Sequence, residues 1–191
     1  MSVDLIKVIA QKEGISTLPI VDPNTQDISA TSEVYADKLA QAAIPSVLTG
    51  MYKYSRDVHQ ADTVLEEGFV DNWETKLFGD NLDVLKEEVA NYASVSIEEA
   101  DIKLREVLSH SLEAIRENVP KEDGAGIKQL FTDQRTNILS HLPAAIRLGN
   151  LLNDNSLDDR TNKMQGPVSN LMHSIEKAFS GSQNPEDLEG K

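Results

Sequence analysis

The sequence predicts an all-α protein, an orthogonal bundle of about eight helices, two of them kinked by proline. Three observations predict it. Apolar residues recur three and four positions apart along most of the chain, the spacing of a helix face. No stretch of useful length alternates apolar with polar as a half-buried strand would. Aromatic residues are scarce, one Trp, four Tyr and four Phe in 191 residues. The core must therefore be built from Leu, Ile, Val and Ala, a palette that suits packed helices better than a sandwich or barrel.

Each element has its own signals. Residues 2–13 read as a first helix, with Ser2 as cap, Leu5, Ile6 and Ile9 on one face and Gly14 as stop. Residues 14–29, GISTLPIVDPNTQDIS, hold two prolines and several turn formers and read as an extended connection. From 34 to 54, Val34, Leu39, Ala43, Val47, Leu48 and Met51 keep helical spacing through Pro45. Proline removes a backbone bond and clashes with the preceding turn, so a kink, or a junction of two helices, is expected near Ile44. Ser55 is expected to cap a helix carrying Val58, Ala61 and Leu65 and ending near Gly68.

Asp71 caps a short turn with Trp73, Leu77 and Phe78, closed by Gly79, and Asp80 opens a helix with Leu82, Leu85, Val89 and Tyr92 on one side. Ser96-x-x-Glu99 is a capping-box pattern. It opens the clearest helix, striped by Ile97, Leu104, Val107, Leu108, Leu112, Ile115 and Val119. Pro120 and KEDGAG then break the chain. Ile127, Leu130 and Phe131 read as a short apolar turn, followed by a helix from about Gln134 to Leu152 that contains Pro143. Ser156-x-x-Asp159 starts a short polar helix ending at Gly166. Pro167 suits the first position of a last amphipathic helix with Val168, Leu171, Met172, Ile175 and Phe179, stopped by Gly181.

This order divides the chain into an N-terminal helix and connection (1–29), a helical subdomain (30–120), a second helical subdomain (121–180) and a disordered tail (181–191). AAIPSVLTGM (42–51) echoes HLPAAIRLGN (141–150), and LSHSLEAI (108–115) echoes LMHSIEKAF (171–179). The echoes are those of an internal duplication, with Pro45 and Pro143 in equivalent places, or of amphipathic helices alike by chance.

Charge and composition exclude several functions. A net charge of −14 with no run of more than two basic residues speaks against nucleic acid and against an anionic membrane surface. With no cysteine there is no disulfide, thiolate nucleophile or thiolate metal ligand. The first residues, MSVDLIKVIAQKEG, lack a secretory pattern, and no window approaches a membrane-spanning apolar run. A cytoplasmic protein is expected.

The candidate sites are few. In LLNDNSLDDRTNK (151–163), Asp154, Asp158 and Asp159 form an acidic run between apolar segments. A calcium loop needs ligands at alternating places, a central Gly and a closing Glu, and this run lacks the last two. Helix capping uses the same residues more simply. His110/Glu113 and His173/Glu176 reverse the Glu-x-x-His order of di-iron bundles, and helical spacing points both histidines to solvent. No Gly-x-Ser-x-Gly elbow is present, and GAGIK (124–128) lacks the first Gly and the hydroxyl residue of a phosphate loop. Adjacent carboxylates such as Glu87-Glu88 and Glu98-Glu99 diverge on a helix and read as solvated faces. Trp73 and Phe78 read either as an interaction anchor or as core under a short helix. No cofactor is implied.

LFGD (77–80), the helix after it and ASVSIEEADIKLREVLSHSLEAIRENVPKED (93–123) resemble, in order, the bacterial YidB-like family. AQAAIPSVLTGMYKYSRD (40–57) is similar to that family's Leu-Pro-x-Leu-Leu-x-Gly helices. The two regions span about half of the chain. The chain departs from the family in lacking its Gly- and Gln-rich segments and the Leu-Pro of the 97–118 helix. The resemblance implies a compact helical bundle without established activity, and no catalytic residue carries over. The expected function is protein–protein association, with a partner or with a second copy. A metal- or small-ligand-binding helical protein is one alternative, and an enzyme whose site is assembled from distant residues is another.

Overall fold

The computed structural model describes residues 3–22, 28, 37–66 and 72–157. They fold as α1 (Leu5–Lys12), α2 (Lys38–Tyr54), α3 (Val58–Glu66), α4 (Trp73–Phe78), α5 (Leu82–Ala93), α6 (Ile97–Asn118), α7 (Gly124–His141) and the single turn α8 (Leu148–Leu151). Short 3-10 turns cover Gly79–Asn81 and Asn155–Leu157. Among the described residues there is no strand, only one antiparallel bridge between Val21 and Ile28. The all-α class holds. No described helix is long and apolar enough to cross a membrane.

The organising element is α2. Every residue from Ala40 to Met51 is buried, so this helix is covered on all sides. A helix apolar all round belongs inside a protein, and α1, α4, α5, α6 and α7 all pack on it. Small residues allow that crowding. A side chain on Gly50 would strike the Phe78 ring, which sits against the bare backbone there. α3 packs along α7, and α5 along α6. The helices on either side of Pro120 therefore share one core, within a compact unit that runs to Leu157.

Pro45 does not divide α2, which runs from Lys38 to Tyr54 through it. Pro143, by contrast, lies outside any helix. α7 ends at His141, and Leu142 turns extended with φ −76° and ψ 120°, as a residue before proline prefers. The expected helix to Leu152 is thus a helix, a turn and one further helical turn. Pro45 and Pro143 accordingly hold different local positions. The supposed apolar turn at Ile127, Leu130 and Phe131 is instead the buried face of α7, whose first residue is Gly124.

Caps explain most boundaries. Asp4, not Ser2, caps α1, accepting the Lys7 N–H at 3.1 Å. Asp37 accepts from Leu39 and Ala40 at the head of α2. Ser55 closes α2 rather than opening α3, and Asp57 accepts the His59 and Gln60 N–H groups at 2.9 and 3.2 Å. The capping box at Ser96 and Glu99 is present in both directions. The expected Asp71 cap, the helix end at Gly68 and everything from residue 158 onward, the Pro167–Phe179 helix included, lie outside the described residues.

Buried amides tie the helices together. Gln41, fully buried, donates through Nε2 to the carbonyls of Pro19 (3.2 Å) and His141 (2.5 Å), fixing the extended segment after α1 between α2 and α7. The Val21 N–H also bonds the Ser140 carbonyl at 2.9 Å. Gln134 of α7 accepts the Leu5 N–H at 3.4 Å and donates to the Val3 carbonyl at 2.6 Å, anchoring the start of α1. Buried backbone groups need such partners, and here side chains from distant helices supply them.

Candidate functional site

The acidic run near the chain's last described turn is structural at the residue that can be seen. The Asp154 Oδ1 accepts the Ser156 N–H at 3.1 Å and its hydroxyl at 2.6 Å, starting the 3-10 turn Asn155–Leu157. Its Oδ2 pairs with the Arg56 guanidinium. Burial alone would raise this carboxyl, but the Ser156 bonds and Arg56 outweigh burial and hold it below the usual aspartate range. Both oxygens are engaged within the protein. Asp158 and Asp159, like His173 and Glu176, lie outside the described residues. Among the described residues no three His, Asp or Glu side chains converge as a metal set.

Trp73 and Phe78 are core residues, 1% and 5% exposed, so neither ring is presented at the surface. The Tyr54 ring meets Trp73 edge-on with centroids 5.6 Å apart. α4 has only six residues, and both faces of so short an element can be covered when α2 lies against it. The GAGIK segment is equally structural. A side chain on Gly124 would collide with the Val58 carbonyl and the Asp62 carboxylate, and the Gly124 N–H donates to Asp62. Gly124 lets α3 and α7 approach closely, while a side chain on Gly126 would strike the Lys121 carbonyl in the loop before α7.

The histidine expected in solvent is not there. His110 is 28% exposed, and its Nδ1 lies 2.6 Å from Glu13 Oε1. Helical spacing alone places it opposite the stripe, but the end of α1 packs against that flank of α6. Glu13, with a side chain 1% exposed, also receives Lys103 Nζ at 2.9 Å. Burial works against the charge on Lys103, yet its bonds to Glu106 and Glu13 prevail and keep the ammonium above its ordinary range. Glu113 pairs with Lys12 at 3.3 Å, not with His110. Lys103, Glu106, His110, Glu113 and Glu117 thus line one edge of α6 as a charged seam against α1. The carboxylate pairs expected to be solvated faces also divide their tasks: Glu99 closes the capping box, while the Glu88 side chain, largely buried, pairs with Arg147 at 2.9 Å.

The seam ends in a cleft. Where α6 stops at Asn118, a cavity of about 380 Å³ opens, lined by Val3, Glu117, Asn118, Val119, Pro120, Leu130 and Asp133. Val119 is extended at φ −64° and ψ 128°, as its following proline requires, and this turns the chain away from the helix axis and leaves the space. The lining combines four apolar side chains with two carboxylates and an amide. Asn118 Nδ2 donates to the Ala114 carbonyl at 2.8 Å. Asp133 Oδ1 accepts from Gln129 Nε2 at 2.8 Å, and Glu117 stands 3.6 Å from Lys12.

The sequence marked Val119, Pro120 and Leu130 only as helix-face, chain-break and turn residues and none of the lining as a site, because the lining gathers the start of the chain, the end of α6 and the middle of α7. The one legible sign was the helix stop at Pro120. The chain matches no family model, and neither the curated proteins nor the solved structures include a match to it.

Proposed function

We propose that this is a non-enzymatic, cytoplasmic helical protein that acts through protein–protein association, with a partner or with a second copy of itself. The observation that carries the reading is the cleft at the end of α6, where Val3, Val119, Pro120 and Leu130 line one space together with Glu117, Asn118 and Asp133. Protein contacts commonly combine apolar and polar groups in this way. The net charge of −14 favours partners that carry positive charge. The all-α architecture is in keeping with the YidB-like resemblance of residues 40–57 and 77–123, which we retain as part of the same proposal.

Native mass spectrometry of the full chain from its own host tests the reading, with Val119→Asp as the variant. A stoichiometric complex or a defined oligomer that the variant loses would support it. The mass of the chain alone in both preparations would sink it. One observation favours a second reading, a small-ligand site: the cleft's volume falls within the range of roughly 300–1,000 Å³ usual for such pockets. A small added mass that survives desalting would favour that alternative.

A further inference from the structure

The cleft's polar lining is dominated by acceptors. Glu117 and Asp133 are carboxylates, and Asn118, which gives one Nδ2 hydrogen to the Ala114 carbonyl, keeps its Oδ1 and a single N–H. The cleft also lies at the C-terminal end of α6, a helix of 22 residues. The last carbonyls of a helix carry partial negative charge and favour cations. Pro120 adds to this, because it has no N–H to return to the carbonyl of Arg116. Among the described residues no lysine or arginine lines the space. The nearest cation in contact, Lys12, is closer to Glu113 (3.3 Å) than to Glu117 (3.6 Å). The apolar lining, meanwhile, suits an aliphatic chain rather than a hydrated ion.

We infer that the cleft receives the aliphatic stem and cationic head of a lysine or arginine side chain from a protein partner. The inference rests on the association reading and names the chemistry of its contact. Val3, Val119, Pro120 and Leu130 cover the methylenes, while Glu117, Asp133 and the Asn118 Oδ1 take the N–H groups. A long basic side chain buries its stem and keeps its head among polar groups in this way.

The test is a titration of the ¹⁵N-labelled full chain with a blocked Ala-Leu-Arg-Leu-Ala peptide, its citrulline counterpart and free agmatine. Citrulline keeps the shape of arginine and removes the charge. The arginine peptide should move the amide signals of Glu117, Asn118, Leu130 and Asp133 saturably. The citrulline peptide and the Glu117→Gln/Asp133→Asn variant should each bind about tenfold more weakly, in line with the loss of a charge pair. Both substituted side chains are exposed, and a far-UV circular dichroism spectrum confirms the variant's fold. Unmoved cleft signals, or equal binding of the two peptides, would overturn the inference. Agmatine binding as tightly as the peptide would overturn it in favour of a free aliphatic amine. If native mass spectrometry finds a complex that survives Glu117→Gln/Asp133→Asn, the cleft assignment fails while the association reading stands.

Discussion

Glu74 shows how one residue's environment changes its chemistry. Its side chain is 7% exposed on α4, its Oε1 has no hydrogen-bond partner among the described residues, and its Oε2 is 3.5 Å from the half-exposed Arg105. Burial pushes the carboxyl above its ordinary value of 4.5, with Arg105 offsetting only part of that and Asp101 adding to it. The native state therefore binds this proton more tightly than the unfolded chain does. The stability tied to that proton is present at acid pH and is lost as pH rises from 4.5 through the higher folded value. Glu74→Gln should raise stability at neutral pH and change it little near pH 4. Urea unfolding at both pH values checks this, and a variant weaker at neutral pH would contradict it. The sequence showed a glutamate between Trp73 and Leu77 in what reads as a short turn. It could not show that α2 and α6 close over both sides of that helix.

At the scale of elements, the contact between α3 and α7 turns on Gly124. In a helix interior, replacing Gly by Ala gains about 1 kcal/mol of propensity, and Gly124, at the first position of α7, has less than that to gain. The added carbon would meet the Val58 carbonyl and the Asp62 carboxylate, which are backbone and a capping partner rather than a yielding side-chain tip. Gly124→Ala should therefore destabilise, by about 2 kcal/mol, which chemical denaturation of the two proteins will show. A gain in stability would mean that α3 and α7 can separate without cost. Helix ends were legible where a cap is local, as at Ser96 and Glu99, since both partners lie within one turn of chain. They were misplaced at Ser2 and Ser55, because a neighbouring aspartate, Asp4 or Asp57, offered the backbone a better acceptor.

At the scale of the molecule, the helices before and after Pro120 share α2 as a common core, so they should unfold together. Trp73 is the sole tryptophan and lies on α4 against Tyr54. Its fluorescence reports the core, while far-UV circular dichroism reports all helices. The two unfolding curves in urea should coincide, as they do for a single cooperative unit. A fluorescence transition clearly separated from the loss of helix would mean that α4 and its surroundings form an independent part. The charged seam between α1 and α6 belongs to this scale as well. Glu13 is tied to His110 and Lys103 although 97 and 90 residues separate it from them.

By itself the sequence determined the all-α class, the helical spacing of the α2 segment, the capping box of α6 and the chain breaks near Gly14 and Pro120. These follow from spacing, propensity and bonds within a turn or two, which act wherever the chain goes. Only the tertiary structure decided that Trp73 and Phe78 are core, that Asp154 is clamped by Arg56, and that His110 meets Glu13. It alone decided that Val3, Asn118 and Leu130 share one cleft. Those outcomes depend on which helices become neighbours, and that choice is made by the packing of the whole core around α2, not by any local stretch of residues.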